Sequence, residues 1–249
     1  MEIGLVGLGR MGGGILGRLA QSGHTVVAYD SDPSVRVRSA TTTSRSVEAL
    51  EDVPTNLSEP VSILLCLPSG EATENTISKL SRILSPGDSL IDTGNSNYKD
   101  SIRRGSELNT KGINFLDVGI SGGIWGHSMG YSLTVGGPEH VFRDLLPLFQ
   151  ALSPQDSKGF AHVGQQGAGH FAKMVHNGIE YGLMQAYSEG FDLLHSNPLF
   201  DFDLEQVAGV WNSSSVIRSW LLELTQVTLK ENPSMVNVLP YVQDSGEGR

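Results

Sequence analysis

A polar stripe runs along a helix predicted between residues 167 and 195, and its side chains are of types that can act as an acid and a base. The stripe consists of Lys173, His176, Asn177 and Glu180, spaced at i, i+3, i+4 and i+7 and therefore on one face of the helix. The other faces carry the apolar side chains of Ala172, Met174, Val175, Ile179, Leu183 and Met184. This pattern predicts a buried helix whose polar stripe lines a cleft.

Burial lowers the pKa of a lysine and raises the pKa of a glutamate, which suits a base and an acid that work near neutral pH. The stripe therefore favours a catalytic role for Lys173 and Glu180. A structural ion pair between these two residues, with His176 and Asn177 hydrogen-bonded beside it, is the alternative interpretation.

A glycine-rich turn near the N-terminus has the spacing of a dinucleotide-binding motif. It follows a predicted strand at 2–6 and opens a predicted helix, and its candidate cofactor contacts are Gly7, Gly9, Arg10, Met11 and Gly12. The three glycines, in the pattern G-x-G-x-x-G, allow a tight turn and let backbone N–H groups approach a pyrophosphate at the helix N-terminus. In this context the motif predicts a dinucleotide cofactor.

Asp30 ends the next predicted strand, 24–30. Its separation in sequence from Gly12 is typical of the acidic residue that binds the adenosine ribose in dinucleotide-binding motifs. Its carboxylate can accept hydrogen bonds from the ribose hydroxyls and would repel a 2′-phosphate, which predicts NAD rather than NADP. A capping role for Asp30 is the alternative. Arg36 and Arg38 are close enough in sequence to leave NADP open.

Apolar runs alternate with helical or loop segments through the first two thirds of the chain. The predicted strands are 2–6, 24–30, 61–67, 89–92, 113–117, 132–135 and 160–163, and a Ser/Thr-rich exposed loop is expected at 39–46. The alternation predicts a Rossmann-type, doubly wound, mostly parallel α/β sheet over 1–164. Further helices at 203–211 and 214–230 predict an all-helical second domain over 165–249.

Two loops follow predicted strands where open α/β sheets bind ligands. Residues 92–96 read DTGNS and residues 119–123 read GISGG. Glycine N–H groups can form an anion-binding nest, and the side chains of Asn95 and Ser121 can orient a carboxylate or a nicotinamide amide. Each loop alone is also typical of an ordinary turn. Together with the stripe they predict a site between the two domains.

Composition excludes several classes of protein. The 249 residues carry 17 Lys+Arg against 27 Asp+Glu, a formal net charge of −10, which argues against binding to nucleic acid or to anionic membranes. Cys66 is the single cysteine, so we expect a core residue, no intramolecular disulfide and no cysteine-based metal site. No apolar run is long enough for a membrane span and a strand pattern begins directly after Met1, so we expect a soluble cytoplasmic protein without a targeting peptide.

Six stretches of the chain carry a resemblance to a known family. They are GLGRMG, DTGNSNY (92–98), GISGGIWGHSMGYSLTVGG (119–137), GAGHFAKMVHNGIEYGLMQAYSEGFDLL (167–194), VWNSSSVIRSWLLEL (210–224) and DSGEGR (244–249). These stretches resemble 6-phosphogluconate dehydrogenases, in particular their shorter bacterial-type form. The resemblance implies oxidative decarboxylation of 6-phosphogluconate to ribulose 5-phosphate and CO2 in the pentose phosphate pathway, with reduction of NAD or NADP, no metal, and a homodimer or homotetramer.

The resemblance also implies roles for single residues. Lys173 matches the general base on the C3 hydroxyl and Glu180 the acid that protonates the enediol. The positions that match substrate-binding residues are Asn95, Ser121, Gly122, Gly123, His176 and Asn177, with Tyr181 and Arg249 matching phosphate contacts. Asn95 is also expected to contact the cofactor.

The sequence departs from the family pattern at Thr93 and Ser213, where relatives usually have glycine. Relatives also continue beyond the DSGEGR stretch into further helices, so we expect an incomplete C-terminal domain that binds NAD and has weak or no activity. The apolar side chains expected to lie uncovered are Trp211, Ile217, Trp220, Leu221 and Leu224.

Two other functions remain open at this point. A β-hydroxyacid dehydrogenase of the 3-hydroxyisobutyrate type would share Lys173 and Asn177 but lack the triplet Ile179-Glu180-Tyr181. A nucleotide-binding protein with little catalytic activity would bind NAD without turning over 6-phosphogluconate.

Overall fold

The computed structural model describes residues 1–38, 44–154, 158–233, 235 and 238. It divides into two compact units, Met1–Lys173 and Met174–Arg249. In the ranges described, no helix combines the length and the apolar character needed to cross a lipid bilayer.

The first unit is built around a sheet with eight strands in the part of the chain described. The strands are β1 (Glu2–Val6), β2 (Thr25–Tyr29), β3 (Ser44–Ser46), β4 (Ser62–Leu65), β5 (Ser89–Asp92), β6 (Asn114–Ser121), β7 (Ser132–Gly136) and β8 (Phe160–Gly164). Their order is β3-β2-β1-β4-β5-β6-β7-β8, and every neighbouring pair is parallel except β6 and β7. The predicted Rossmann-type sheet is confirmed, and its order reverses between β1 and β4, where such sheets bind ligands.

The helices cover both faces of this sheet and make up most of the second unit. They are α1 (Arg10–Gln21), α2 (Pro33–Arg38), α3 (Asp52–Thr55), α4 (Glu71–Leu80), α5 (Tyr98–Asn109), α6 (Gly126–Met129), α7 (Glu139–Asp144), α8 (Leu146–Leu152), α9 (Ala168–His195), α10 (Leu204–Ser214) and α11 (Trp220–Glu231). Helix α9 confirms the long helix predicted at 167–195. The helical region that follows the sheet is also confirmed.

Alternate residues of the strands pack on opposite faces of the sheet, as the pleat requires. On one face Leu5 and Val26 lie in a buried cluster with Ile15 of α1. On the other face Val6 and Val27 lie in a second cluster with side chains of α3, α4 and α5. Because both faces are covered, the strands read as continuous apolar runs, which is why the sequence revealed them.

Strand β3 corrects one prediction. Residues 44–46 were expected in an exposed loop, but they pair in parallel with β2, and Ser44 is buried. An edge strand is held by backbone hydrogen bonds along one side only, so it tolerates a polar sequence without an apolar period. The remaining residues of that predicted loop, 39–43, lie outside the described part of the chain.

The second unit has a small core of its own between α9, α10 and α11. Phe191, Ala208, Leu222 and Leu229 are buried there, and Trp211 packs against them. Asp203 and Ser219 cap α10 and α11 by accepting hydrogen bonds from the backbone N–H groups of Gln206 and Leu222.

The prediction that α9 is buried along its length is wrong. The side chains of Val175, Ile179, Leu183 and Met184 are 41% to 60% exposed. In the second unit, α10 and α11 pack against the C-terminal part of α9, at Tyr187, Phe191 and Leu194, and leave the preceding apolar side chains uncovered. Of the five apolar residues of 211–224 that were expected to be uncovered, Ile217 is 44% exposed and Trp220 is 42% exposed.

Candidate active site

The glycine turn has the geometry that its sequence predicts. Gly7 has a φ of 92°, which L side chains rarely adopt, and its N–H donates to the carbonyl of Tyr29 at 2.9 Å. A Cβ at Gly12 would collide with the carbonyl oxygen of Gly7, whereas Gly9 has open space around it. The turn is therefore closed on the protein side and accessible at Gly9, at the N-terminus of α1, which fits a pyrophosphate.

Asp30 ties the glycine turn to the end of β2. Its Oδ2 accepts a hydrogen bond from the N–H of Leu8 at 2.7 Å, and its Oδ1 accepts one from Asp32 N–H at 2.9 Å. Each carboxylate oxygen keeps a further lone pair, so these local bonds are compatible with binding ribose hydroxyls. Asp30 also lines a cavity of about 440 Å³ with Gly7 and Glu48, a volume typical of ligand pockets. These residues fit the adenosine end of a dinucleotide.

Arg36 lies beside this cavity with its guanidinium already engaged. Nη1 donates to the carbonyl oxygen of Asp30 at 2.6 Å and contacts that of Ser31 at 3.5 Å, and the group lies 5.8 Å from the ring centroid of Tyr29. The side chain of Arg38, the other candidate for a 2′-phosphate, lies outside the described part of the structure.

The loop that carries Asn95 is organised by buried charges. Asp92 is fully buried, and its carboxylate accepts hydrogen bonds from Gly94 N at 3.0 Å, Ser96 Oγ at 2.8 Å and Arg104 Nη1 at 3.2 Å. Arg104 is itself only 2% exposed, and its Nε donates to Glu74 at 3.0 Å. A buried ion pair is tolerated because every charge has a partner. Asn95 is half-buried, with no side-chain hydrogen bond in the described chain.

Sequence reasoning missed Arg104, although a signal was present. The buried face of α5 carries Ser101, Gly105 and Leu108, and Arg104 lies on that same face. A charged residue on the inward face of a helix predicts a buried partner, here Asp92.

Thr93 and Cys66 lie behind the same loop. The hydroxyl of Thr93 donates to the carbonyl of Leu65 at 2.9 Å and lies 3.0 Å from the Cys66 sulfur. Thr93 is therefore held by the neighbouring strand. Burial raises the pKa of the Cys66 thiol to about 12, so Cys66 is not a reactive thiol near neutral pH and packs against the core as expected.

The turn after β6 carries the two glycines of the predicted anion nest, and its geometry is compatible with that prediction. Gly122 and Gly123 have φ values of 132° and 50°, and no atom would lie within 4 Å of a Cβ at Gly123. Both conformations favour glycine, and the turn leads into a 3₁₀ turn at Gly123–Trp125. Its backbone is accessible at the point where the half-buried Ser121 ends the strand.

Two glycines of α1 that the dinucleotide motif does not require have a separate role. A Cβ at Gly14 would collide with the Tyr131 hydroxyl, and one at Gly17 would lie 2.6 Å from the His127 ring. Arg18 strengthens this contact because its Nη1 donates to the carbonyl oxygen of His127 at 3.4 Å, while its Nη2 donates to that of Ser153 at 2.5 Å. The segment after the Ser121 turn is therefore packed directly on the helix that follows the glycine turn.

The start of α9, the helix that carries Lys173, is held by the buried carboxylate of Asp117. Its oxygens accept hydrogen bonds from Gly167 N at 2.7 Å and His170 N at 2.8 Å, which hold the start of α9 against the sheet. A Cβ at Gly119 would lie 2.5 Å from Lys173 Cβ, so Lys173, the candidate base, packs on β6. Gly119 lies two residues before Ser121 and is therefore on the same face of the strand.

The first unit therefore brings several predicted site residues to the C-terminal edge of its sheet. Asn95 follows β5 and Ser121 ends β6, and these strands are parallel neighbours. The glycine turn follows β1 at the same edge, because β1, β4, β5 and β6 run in parallel.

The other stripe residues lie in the second unit and contact one another. His176 Nδ1 lies 3.6 Å from Glu180 Oε2 and 3.2 Å from Asn177 Oδ1. Asn177 is buried, whereas Glu180 and Tyr181 are partly exposed. The contact between His176 and Glu180 was not foreseen, although their i, i+4 spacing permits it. Arg249 lies outside the described residues.

Comparisons with known proteins agree with this architecture. The family model for the NAD binding domain of 6-phosphogluconate dehydrogenase matches residues 2–164, and the model for the C-terminal domain of 6-phosphogluconate dehydrogenase matches residues 169–248. The solved structure of Plasmodium falciparum 6-phosphogluconate dehydrogenase, described as apo and in complexes with NADP+ and with 6-phosphogluconate, matches with a TM-score of 0.91 at 27% identity. That match covers 100% of this chain and 56% of the Plasmodium chain.

Two relatives are more similar in sequence. An NAD(+)-dependent, decarboxylating 6-phosphogluconate dehydrogenase from Haloferax volcanii is 41% identical over 234 residues, or 94% of this chain and 77% of its own length. The Bacillus subtilis protein YqeC, provisionally named 6-phosphogluconate dehydrogenase, is 39% identical over 249 residues, or 100% of this chain and 82% of its own. With both family models matching, the chain belongs to the 6-phosphogluconate dehydrogenase family, whose NAD-binding domain it carries.

Proposed function

We propose that this protein is an NAD-dependent 6-phosphogluconate dehydrogenase that decarboxylates its substrate. The observation that supports this most directly is the contact of Lys173 with Gly119 on β6, in the same unit as the glycine turn, Asn95 and Ser121. A base that packs on the strand leading into Ser121, Gly122 and Gly123, in the same unit as a dinucleotide-type glycine turn, suits the oxidation of a hydroxy acid.

In the proposed reaction Lys173 accepts the proton of the substrate C3 hydroxyl. A dinucleotide held at the glycine turn would supply its nicotinamide ring as the hydride acceptor. The oxidised carbon is then a ketone β to the carboxylate, so CO2 can leave with its bonding electrons delocalised into the carbonyl. Glu180 donates a proton to the carbon of the resulting enediolate, which yields ribulose 5-phosphate. One base and one acid are therefore sufficient.

Substrate recognition in this proposal is carried over from the family resemblance and agrees with the chemistry of each group. The N–H groups of Gly122 and Gly123 and the hydroxyl of Ser121 bind the substrate carboxylate region. Asn95, His176 and Asn177 bind substrate hydroxyls, and Asn95 also contacts the cofactor. Tyr181 and Arg249 bind the phosphate.

The proposal includes a preference for NAD. Asp30 lines the cavity at the adenosine end and would be a like-charge neighbour of a 2′-phosphate. Arg36 is engaged with the carbonyl oxygen of Asp30. The Haloferax relative, which is named NAD(+)-dependent, is consistent with this preference.

We extend the proposal to a place in the pentose phosphate pathway and to a homodimer or homotetramer. The exposed apolar side chains of α9, such as Ile179 and Leu183, favour association of the second unit with another copy. Light scattering of the purified protein measures this association directly.

The test is an assay of 6-phosphogluconate oxidation with NAD+ and with NADP+ in separate reactions, with CO2 release followed in parallel. We expect one CO2 for each NADH formed, and a loss of both signals in Lys173→Met. Lys230→Met, which changes an exposed lysine of α11, serves as the matched control. Oxidation of 3-hydroxyisobutyrate but not of 6-phosphogluconate would favour the related β-hydroxyacid dehydrogenases. Binding of NAD+ without turnover of either substrate would favour a nucleotide-binding protein.

A further inference from the structure

A buried hydrogen bond joins the helix that follows the Asn95 loop to the helix that carries Lys173. Ser101 Oγ on α5 lies 2.7 Å from His170 Nδ1 on α9, and both residues are buried. Ser101 lies one turn into α5, and α5 begins directly after the Asn95 loop. His170 lies one turn before Lys173, on the same side of α9. The bond thus links the two segments that present Asn95 and Lys173.

The chemistry of His170 indicates that this bond is the reason for a histidine here. Its Nε2 is buried and has no hydrogen-bond partner among the described residues. An unpaired polar atom in the interior is destabilising, so an apolar side chain would fill the same space at lower cost. What the imidazole adds over such a side chain is the hydrogen bond to Ser101.

Other contacts hold each segment to the sheet or pack α5 against α9 and the residues that precede it. Asp92 holds the Asn95 loop and Asp117 holds the first turn of α9. Between α5 and α9, the rings of Tyr98 and Phe171 meet edge to face with centroids 5.0 Å apart. That ring contact is less directional than a hydrogen bond.

We propose that Ser101 and His170 are positioning residues, which hold Lys173 in register with the Asn95 loop. This inference rests on the proposed function, in which both residues act on one substrate. Proton transfer requires a base within hydrogen-bond reach of the substrate hydroxyl, and a displacement of about 1 Å can reduce the rate about 100-fold. Neither Ser101 nor His170 is proposed to touch the substrate.

The test compares three variants with two controls. Ser101→Ala removes one partner, His170→Phe removes the other, and His170→Asn keeps a polar atom near the position of Nδ1. The controls are Ser106→Ala, an exposed serine of the same helix, and His140→Asn, an exposed histidine. All are assayed well below their unfolding temperatures.

We expect Ser101→Ala and His170→Phe to lower kcat about 10-fold or more, and His170→Asn to stay within about threefold of the parent protein. The Kd for NAD+ should change much less than kcat in every variant, because the glycine turn and Asp30, which carry the proposed cofactor contacts other than Asn95, are not part of this link. A merely structural role would lower the unfolding temperature without this selective loss of kcat and without rescue by asparagine. Parental kcat in Ser101→Ala, or equal losses in His170→Asn and His170→Phe, would overturn the proposal.

Two further measurements do not depend on turnover. Hydrogen exchange in peptides covering 93–100 and 167–173 should increase in both segments in Ser101→Ala and in neither in Ser106→Ala. The ¹⁵N chemical shift of His170 Nδ1 should change in Ser101→Ala. If the parent protein were inactive but Ser101→Ala still increased hydrogen exchange and changed the His170 Nδ1 shift, the proposed function would be refuted and the link between the helices would stand. If Ser101→Ala changed neither the exchange nor the shift, the link itself would be refuted.

Discussion

Asp92 and Asp117 lie directly opposite each other on the parallel strands β5 and β6, and both carboxylates are fully buried. Each organises a different part of the candidate site. Asp92 accepts hydrogen bonds within the Asn95 loop and from Arg104, and Asp117 accepts them from the first turn of α9. Two neighbouring carboxylates are stable in the interior because each accepts several hydrogen bonds, from N–H donors at Asp117 and from N–H donors and the Ser96 hydroxyl at Asp92.

Removal of the Arg104 charge should destabilise the protein strongly. Arg104→Met leaves Asp92 buried without its cation, and we expect a loss of about 3–5 kcal/mol in the free energy of unfolding. Arg103→Met is the matched control, because Arg103 is exposed, and its ion pairs are expected to contribute less than about 1 kcal/mol. Urea denaturation measures both. Equal effects of the two substitutions would contradict the buried role of Arg104.

The proposed base and acid should act at different steps. Lys173→Met should lower the rate of hydride transfer by about 10²–10⁴-fold, because no group then accepts the C3 hydroxyl proton. Glu180→Gln should impair turnover chiefly after hydride transfer. Stopped-flow measurement should therefore show a rapid burst of NADH in Glu180→Gln and no burst in Lys173→Met. A burst of normal size and rate in Lys173→Met would assign the base elsewhere.

Cofactor preference should depend on Asp30. Asp30→Asn keeps an oxygen that can accept the Leu8 N–H bond and removes the charge near a 2′-phosphate, so the ratio of kcat/KM for NAD to that for NADP should fall. Asp32→Asn changes an exposed carboxylate nearby and should leave the ratio nearly unchanged. If the unmutated protein used NADP as well as NAD, the proposed role of Asp30 would be wrong.

Stability at acid pH should depend in part on Glu74. Its pKa is lowered chiefly by hydrogen bonding to Arg103, with a further contribution from Arg104. Because the pKa is lower in the folded state, the stabilisation is present above the unfolded value of about 4.3 and is lost as pH falls through the folded value. The difference in unfolding free energy between the parent protein and Glu74→Gln should therefore shrink below about pH 4.

Exposed Glu71 of the same helix provides the control for loss of one negative charge. Chemical denaturation of the parent protein, Glu74→Gln and Glu71→Gln at several pH values makes the comparison. A difference for Glu74→Gln that stayed constant from pH 7 to pH 3 would contradict this coupling.

The sequence by itself determined the features that depend on local pattern. The glycine turn, the alternation of strands and helices, and the helix over 167–195 were all predictable, because periodicity and glycine spacing reflect local backbone geometry. The roles of Lys173 and Glu180 follow from the family resemblance and stay predictions.

Only the tertiary structure decided which distant side chains meet. The pairs Asp92–Arg104 and Ser101–His170, the latter separated by 69 residues, leave no periodic signal in the chain. The polar edge strand β3 and the exposure of Ile179 on α9 depend equally on which neighbours pack against each element. A residue's type limits the contacts it can make, but the contact that forms depends on the folded arrangement of the backbone around it.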